Sequence, residues 1–152
     1  MIIQNVTVVN ADKQEVCDVR IEEGVICEIG KSLSVKDNSC IDANSLFMLP
    51  GVIDLASQFN NSVEDITKFK ERTIRGGITT TISKPYTSPM IDNPSVLTFF
   101  KLKERQTKGA DIAFSVSASL KDSPHSLSEQ ATLFQEGAVA VHLRSDANSN
   151  TL

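Results

Sequence analysis

After Pro50 the chain repeats one rhythm four times: a short, nearly continuous apolar run, then a stretch with helical spacing. Such runs read as buried strands, and strict strand–helix alternation implies parallel strands joined by crossovers. The crossovers are expected to be right-handed. The first run is residues 52–55, behind the Pro50-Gly51 turn. Residues 62–75 read as a helix capped by Ser62, with Asp65 three residues on and Gly76-Gly77 at its end. Its apolar stripe is Val63, Ile66, Phe69 and Ile74, with Thr73 beside it. The second strand, residues 78–83, stops at Pro85. Asp92 or Asn93 then caps a helix with Pro94 at its first position, where a missing N–H costs nothing. That helix is expected to run to about residue 108, turning Val96, Leu97, Phe100 and Phe99 inward. Residues 112–119 form the third strand. Ser126-Leu127-Ser128-Glu129 has the form of a capping box for a helix that stops at Gly137, and residues 138–143 are the fourth strand. The polar tail, residues 145–152, reads as a loop or frayed end.

Four such units can build a small open sheet or begin a (β/α)8 barrel. A complete barrel takes about 250 residues, so a chain of 152 holds only part of one. The first 48 residues read differently, as a small antiparallel β unit with no helix signal. Residues 3–9 are rich in β-branched types, and residues 16–21 alternate apolar with polar. Glu22-Glu23-Gly24 turns the chain into residues 25–29 as a hairpin. Residues 39–43 and 46–49 supply further extended pieces. The expected domains are therefore 1–48, a partial β-sandwich-like unit, and 49–152, the N-terminal half of a barrel.

Bulk properties exclude several classes. The formal net charge is −4, and the basic residues Lys68, Lys70, Arg72 and Arg75 are interleaved with Glu64, Asp65 and Glu71. That pattern is a solvated helix face rather than a nucleic-acid footprint. No apolar run approaches the ~18–20 residues of a membrane helix, and no signal peptide is visible. Cys17, Cys27 and Cys40 are odd in number and lack C-x-x-C spacing, so they read as buried or half-buried thiols of a cytoplasmic protein.

Sites on parallel sheets form at the carboxyl ends of strands. Those ends carry Ala56, Ser57, Gln58 and Asn60; then Ser83, Lys84, Tyr86 and Thr87; then Ser117, Ser119, Lys121 and Asp122; and finally His142, Arg144, Ser145 and Asp146. A small β unit, then LPGVIDL, a helix ending in GGITT, a KPYTSP loop and EGAVAV before the fourth strand end resemble the start of a dihydroorotase, in the cyclic amidohydrolase superfamily.

The resemblance implies a barrel whose metal is held by an H-x-H directly after the IDL stretch. Histidines at alternate strand positions can share one metal, which activates water and polarises an amide carbonyl. It also implies an arginine two residues on, which holds the substrate carboxylate, and an asparagine after the second strand. These positions correspond here to Ala56 and Gln58, to Asn60, and to Tyr86. Alanine has no ligand atom, Gln58 offers a neutral amide, and Asn60 cannot form a charged bidentate clamp. The family's zinc site is expected to be lost, leaving no cofactor. The chain has two histidines. His125 reads as solvated in a polar loop, and His142 is the residual site candidate. Asp146 is the candidate for a displaced metal-ligand remnant. Lys84 and Arg144 are candidate anion binders, while Asp54 reads as structural.

Two functional expectations follow. One is a non-catalytic dihydroorotase-like protein, or a fragment of one, associated with pyrimidine biosynthesis. By the same resemblance its partner would be aspartate carbamoyltransferase or another protein subunit. The other is an amidohydrolase working through a divergent, metal-independent site around Lys84, Tyr86, His142 and Asp146. Uncovered barrel edges lead to an expectation of self-association.

Overall fold

The computed structural model describes residues 1–35, 39–58, 65–121 and 123–143. The chain divides into two units, Met1–Pro50 and Gly51–Leu152.

The first unit is a five-stranded sheet of β1 (Ile2–Val9), β2 (Gln14–Glu22), β3 (Val25–Gly30), β4 (Cys40–Asp42) and β5 (Phe47–Met48). β1, β2 and β3 form the expected antiparallel ladder. Their second turn places Glu23 and Gly24 at φ 50° and 79°, the left-handed pair that suits a tight hairpin. β4 and β5 both join β1 in parallel, so the sheet is mixed rather than wholly antiparallel. Alternation in the sequence gives the face of a strand but not its direction. Val6, Cys17, Val19 and Ala43 make the core of this unit, with Ile3, Val8, Ile21 and Met48 packed against it. A register shift between Ile3 and Val6 brings the Asn5 N–H onto buried Asp18, 2.9 Å from Oδ1, while the Leu33 N–H meets Oδ2 at 2.9 Å. Cys17 is buried as expected, but Cys27 and Cys40 are exposed, because they lie on the short outer strands β3 and β4.

The second unit contains β6 (Val52–Ser57), α1 (Asp65–Arg75), β7 (Ile78–Ser83), α2 (Pro94–Arg105), β8 (Asp111–Ser117), β9 (Ser119–Leu120), β10 (Ser123–Leu127), α3 (Gln130–Gln135) and β11 (Ala140–His142). Its main sheet has the order β11-β8-β7-β6, and all three pairings are parallel. This is the strand order of a partial (β/α)8 barrel. A Cβ on Gly51 would stand 2.2 Å from the Thr79 side chain, so the turn into β6 admits only glycine without rearrangement. Asn93 is the cap of α2, accepting the Val96 N–H at 3.1 Å, with Pro94 opening the helix. The helix-facing core joins Ile66 and Phe69 of α1, Leu97 and Phe100 of α2, Ile112, Phe114 and Val116 of β8, and Leu133 of α3. Phe99 stays 39% exposed and meets Phe100 edge-on.

Several expectations are corrected. The capping box at Ser126–Glu129 does not form. Ser126 lies in β10, which pairs antiparallel with β9, and α3 starts at Gln130 with no side-chain cap. Ser128 instead donates to the Ser117 carbonyl at 2.6 Å. His125 consequently sits on a strand, although it is exposed. α2 ends at Arg105 rather than near residue 108. Ser62 and Val63 lie outside the described residues. Among the described residues, no helix is long and apolar enough to cross a membrane.

Lys70 departs furthest from the solvated face expected of α1. Its side chain is 3% exposed, and its ammonium lies 2.5 Å from Glu104 Oε1 and 3.1 Å from the Glu104 carbonyl. A buried ion with one partner removed is strongly destabilising, by about 3–5 kcal/mol, whereas an apolar replacement of both partners is often neutral. Glu104→Ala is therefore expected to lower unfolding free energy by about 3 kcal/mol in urea titration. The double variant Lys70→Met/Glu104→Leu is expected to recover most of that loss.

Candidate functional site

Each main strand ends in a polar residue: Ser57 on β6, Ser83 on β7, Ser117 on β8 and His142 on β11. Register places Ser57 beside Ser83, and Ser117 beside His142. The hydroxyls of this region are used to tie the ends together. Ser57 Oγ donates to Asp54 Oδ2 at 3.0 Å, and the Ala56 N–H donates to Asp54 Oδ1 at 3.0 Å. Asp54 thus orients the backbone at the end of its strand. Ser115 donates to the Ser83 carbonyl at 2.7 Å. Ala56 and Gln58, on either side of buried Ser57, are exposed.

The loop after β7 is pinned along its length. The Lys84 N–H bonds the Ser57 carbonyl at 2.9 Å, and Thr87 Oγ1 donates to the Pro89 carbonyl at 2.7 Å. Buried Ile91 accepts the Ser117 N–H at 2.8 Å, and Asp92 Oδ2 accepts the Lys121 N–H at 2.9 Å. The loop therefore passes from β7 to the end of β8. On the way it presents Tyr86, whose hydroxyl lies 3.0 Å from His142 Nδ1. Which group donates follows the imidazole tautomer. The two rings are edge-on, with centroids 5.2 Å apart and planes at 79°. The His142 carbonyl accepts the Ala118 N–H at 3.1 Å, which fixes the backbone beneath the ring.

Of the sequence candidates, then, the structure brings Tyr86 and His142 into contact. Lys84 is half-buried, two residues from Tyr86. Asn60, Arg144 and Asp146 lie outside the described residues. Sequence reasoning did not single out a cavity of about 400 Å³ lined by Pro89, Met90, Asp92, Asn93, Val96, Leu120 and Lys121. Its one legible signal was the Asn93-Pro94 helix start. Ala56 and Gln58 do not fit a zinc ion, since one has no ligand atom and the other offers a neutral amide. Among the described residues, no three of His, Cys, Asp and Glu converge as a metal site. Chemically, the Tyr86–His142 pair can pass a proton between phenol and imidazole.

No protein-family model matches the chain. It is similar to the dihydroorotase of Carboxydothermus hydrogenoformans, with 31% identity over 141 residues, covering 90% of this chain and 33% of that protein. Against the dihydroorotase of Thermoanaerobacter sp. it is 32% identical over 147 residues, covering 93% and 34%. The chain spans about a third of the length of the curated relatives it matches. Among solved structures, L-hydantoinase (dihydropyrimidinase) from Arthrobacter aurescens superposes with a TM-score of 0.77 at 24% identity, over 92% of this chain and 32% of that one. A dihydroorotase superposes with a TM-score of 0.67 at 16% identity, covering 95% and 42%. These structural likenesses bear out the fold as a small β unit followed by part of a (β/α)8 barrel. The chain is thus dihydroorotase-like in sequence over about a third of those proteins, and similar in fold to part of a hydantoinase.

The contact at the strand ends can be read in solution. Tyr86→Phe is expected to move the Nδ1 nitrogen resonance of His142 and leave far-ultraviolet circular dichroism unchanged. An unmoved resonance would mean that the phenol does not bond the ring.

Proposed function

We propose that this chain is a non-catalytic dihydroorotase-like protein that serves pyrimidine biosynthesis in the cytoplasm as a structural partner of aspartate carbamoyltransferase. The observation that carries the reading is the end of β6. Ala56 and Gln58 stand there in place of the two imidazoles that the resemblance implies. Asn60 for arginine and Tyr86 for asparagine extend the change from the metal to the groups that hold substrate. Loss of one ligand is variation within a site, whereas loss of both kinds of group removes the reason to keep the chemistry. A further feature supports the reading: Asp54 is engaged by the Ala56 N–H and the Ser57 hydroxyl. The partner rests on the family resemblance.

The test joins metal content with partner binding. Chain purified without added metal is expected to carry less than a tenth of an equivalent of zinc, and to co-migrate with purified aspartate carbamoyltransferase in gel filtration. Stoichiometric zinc would sink the non-catalytic reading, and separate migration would sink the partner. Ala56→His/Gln58→His is expected to raise zinc affinity at least tenfold in a competition titration.

The Tyr86–His142 contact supports a second reading, a hydrolase of cyclic amides that works without metal. On this reading, turnover of dihydroorotate or carbamoyl aspartate falls at least a hundredfold in His142→Ala. Equal background rates in the two proteins would remove it for these substrates.

A further inference from the structure

Away from the carboxyl ends of the strands, one charged side chain is buried beside open space. The Lys70 side chain of α1 is 3% exposed, and it lines a cavity of about 440 Å³ with Glu104, Arg105, Thr107, Lys108, Gly109 and Asp111. Asp111 opens β8, so the cavity lies at the other end of that strand from Ser117 and its neighbour His142. We propose that this cavity binds the phosphate group of a small organic molecule.

The geometry starts from Lys70. An ammonium has three donors. Glu104 takes two of them, through Oε1 at 2.5 Å and its carbonyl at 3.1 Å. Among the described residues the third meets no acceptor. Leaving a buried donor unpaired is costly, so a ligand that brings an acceptor to it gains more than one that meets an exposed lysine. Gly109 has φ 133°, and a Cβ there would stand 2.8 Å from Lys70 Cβ. Glycine thus lets the turn after α2 close against α1 and form a wall of the cavity.

Charge sets the kind of ligand. Lys70 neutralises Glu104, which leaves Arg105 and Lys108 against Asp111. The surroundings have the same sign: α1, α2 and residues 106–110 carry eight lysines and arginines against three acidic residues, in a chain of net charge −4. Basic side chains in the last turns of the two helices complement the helix dipoles. That accounts for Arg72, Arg75, Lys103 and Arg105, but not for a lysine buried halfway along α1 or for Lys108 beyond the end of α2. Two ammonium groups and a guanidinium fork around one space suit the tetrahedral oxygens of a phosphate better than the two oxygens of a carboxylate. The volume is in the range of small-molecule sites and exceeds that of phosphate alone, so room remains for the organic part. The proposal does not depend on how the end of β6 is read.

The test titrates the isotope-labelled chain with inorganic phosphate and with glycerol phosphate, with chloride holding ionic strength constant. Both are expected to shift the amide resonances of Gly109 and Ala110 saturably, and acetate to leave them in place. Arg105→Ala/Lys108→Ala removes two exposed side chains. It is expected to weaken phosphate binding about tenfold, with unchanged circular dichroism. Lys70→Met/Glu104→Leu is expected to weaken it as much, and Asp111→Asn to strengthen it. Shifts that chloride alone reproduces would overturn the proposal, as would equal phosphate affinity in the wild type and Arg105→Ala/Lys108→Ala. Glycerol phosphate that fails to displace inorganic phosphate would remove the organic ligand.

Discussion

The second unit depends on the burial of one face of β8. Ile112, Phe114 and Val116 lie at alternate positions, so they share a face. Against them pack residues from all three helices and from the loop after β7. Parallel strands cannot be joined by tight turns, so each crossover must carry its own apolar stripe back to the sheet. β8 has a hydrogen-bonded strand on each side. The intervening residues Ser115 and Ser117 belong to the opposite face by the same alternation. Ser117 is thereby set in register with His142. Ile91 belongs to the core as well, and its carbonyl holds the Ser117 N–H. The loop that delivers Tyr86 is thus anchored by the packing that holds the helices.

Much of this was legible before the structure, for identifiable reasons. Pro50-Gly51, Gly76-Gly77 and Asn93-Pro94 mark their boundaries by backbone chemistry that tertiary contacts rarely override. The failures fall where a local signal had a competitor. Ser126-Leu127-Ser128-Glu129 spells a capping box, but the antiparallel pairing of β10 with β9 claims Ser126. Lys70 sits among charges that suggest solvent, yet the approach of α2 supplies Glu104 and makes burial tolerable. The direction of β4 and β5 depends on where the chain crosses to β1, which strand alternation does not encode.

The site divides in the same way. The residue types at the end of β6 were readable because a turn and an apolar run fixed where the strand stops. The direct Tyr86–His142 contact was not readable, although the sequence grouped both residues in one expected site with Lys84 and Asp146. It depends on the path of a ten-residue-scale loop past β8, and such loops are set by hydrogen bonds to distant backbone rather than by local propensity. Here those bonds are Ile91 to Ser117 and Asp92 to Lys121.

The stability of the second unit therefore rests on residues other than those at the end of β6. The core residues are apolar and within a few per cent of full burial, whereas Ala56 and Gln58 are exposed at a strand end. Exchanging an exposed imidazole for alanine or glutamine at such a position leaves the packing of β8 untouched and costs the fold little. Replacing Phe114 or Leu97 by a small residue would open the core at a cost of several kcal/mol. A lineage released from the need to hold metal can thus lose its ligands quickly while the strand that carried them persists. Histidine at position 142 belongs to a different class. It is half-buried, its nitrogen needs a partner, and Tyr86 supplies one from the position where the family resemblance implies asparagine. On the non-catalytic reading, that contact is a polar group satisfied by its neighbour.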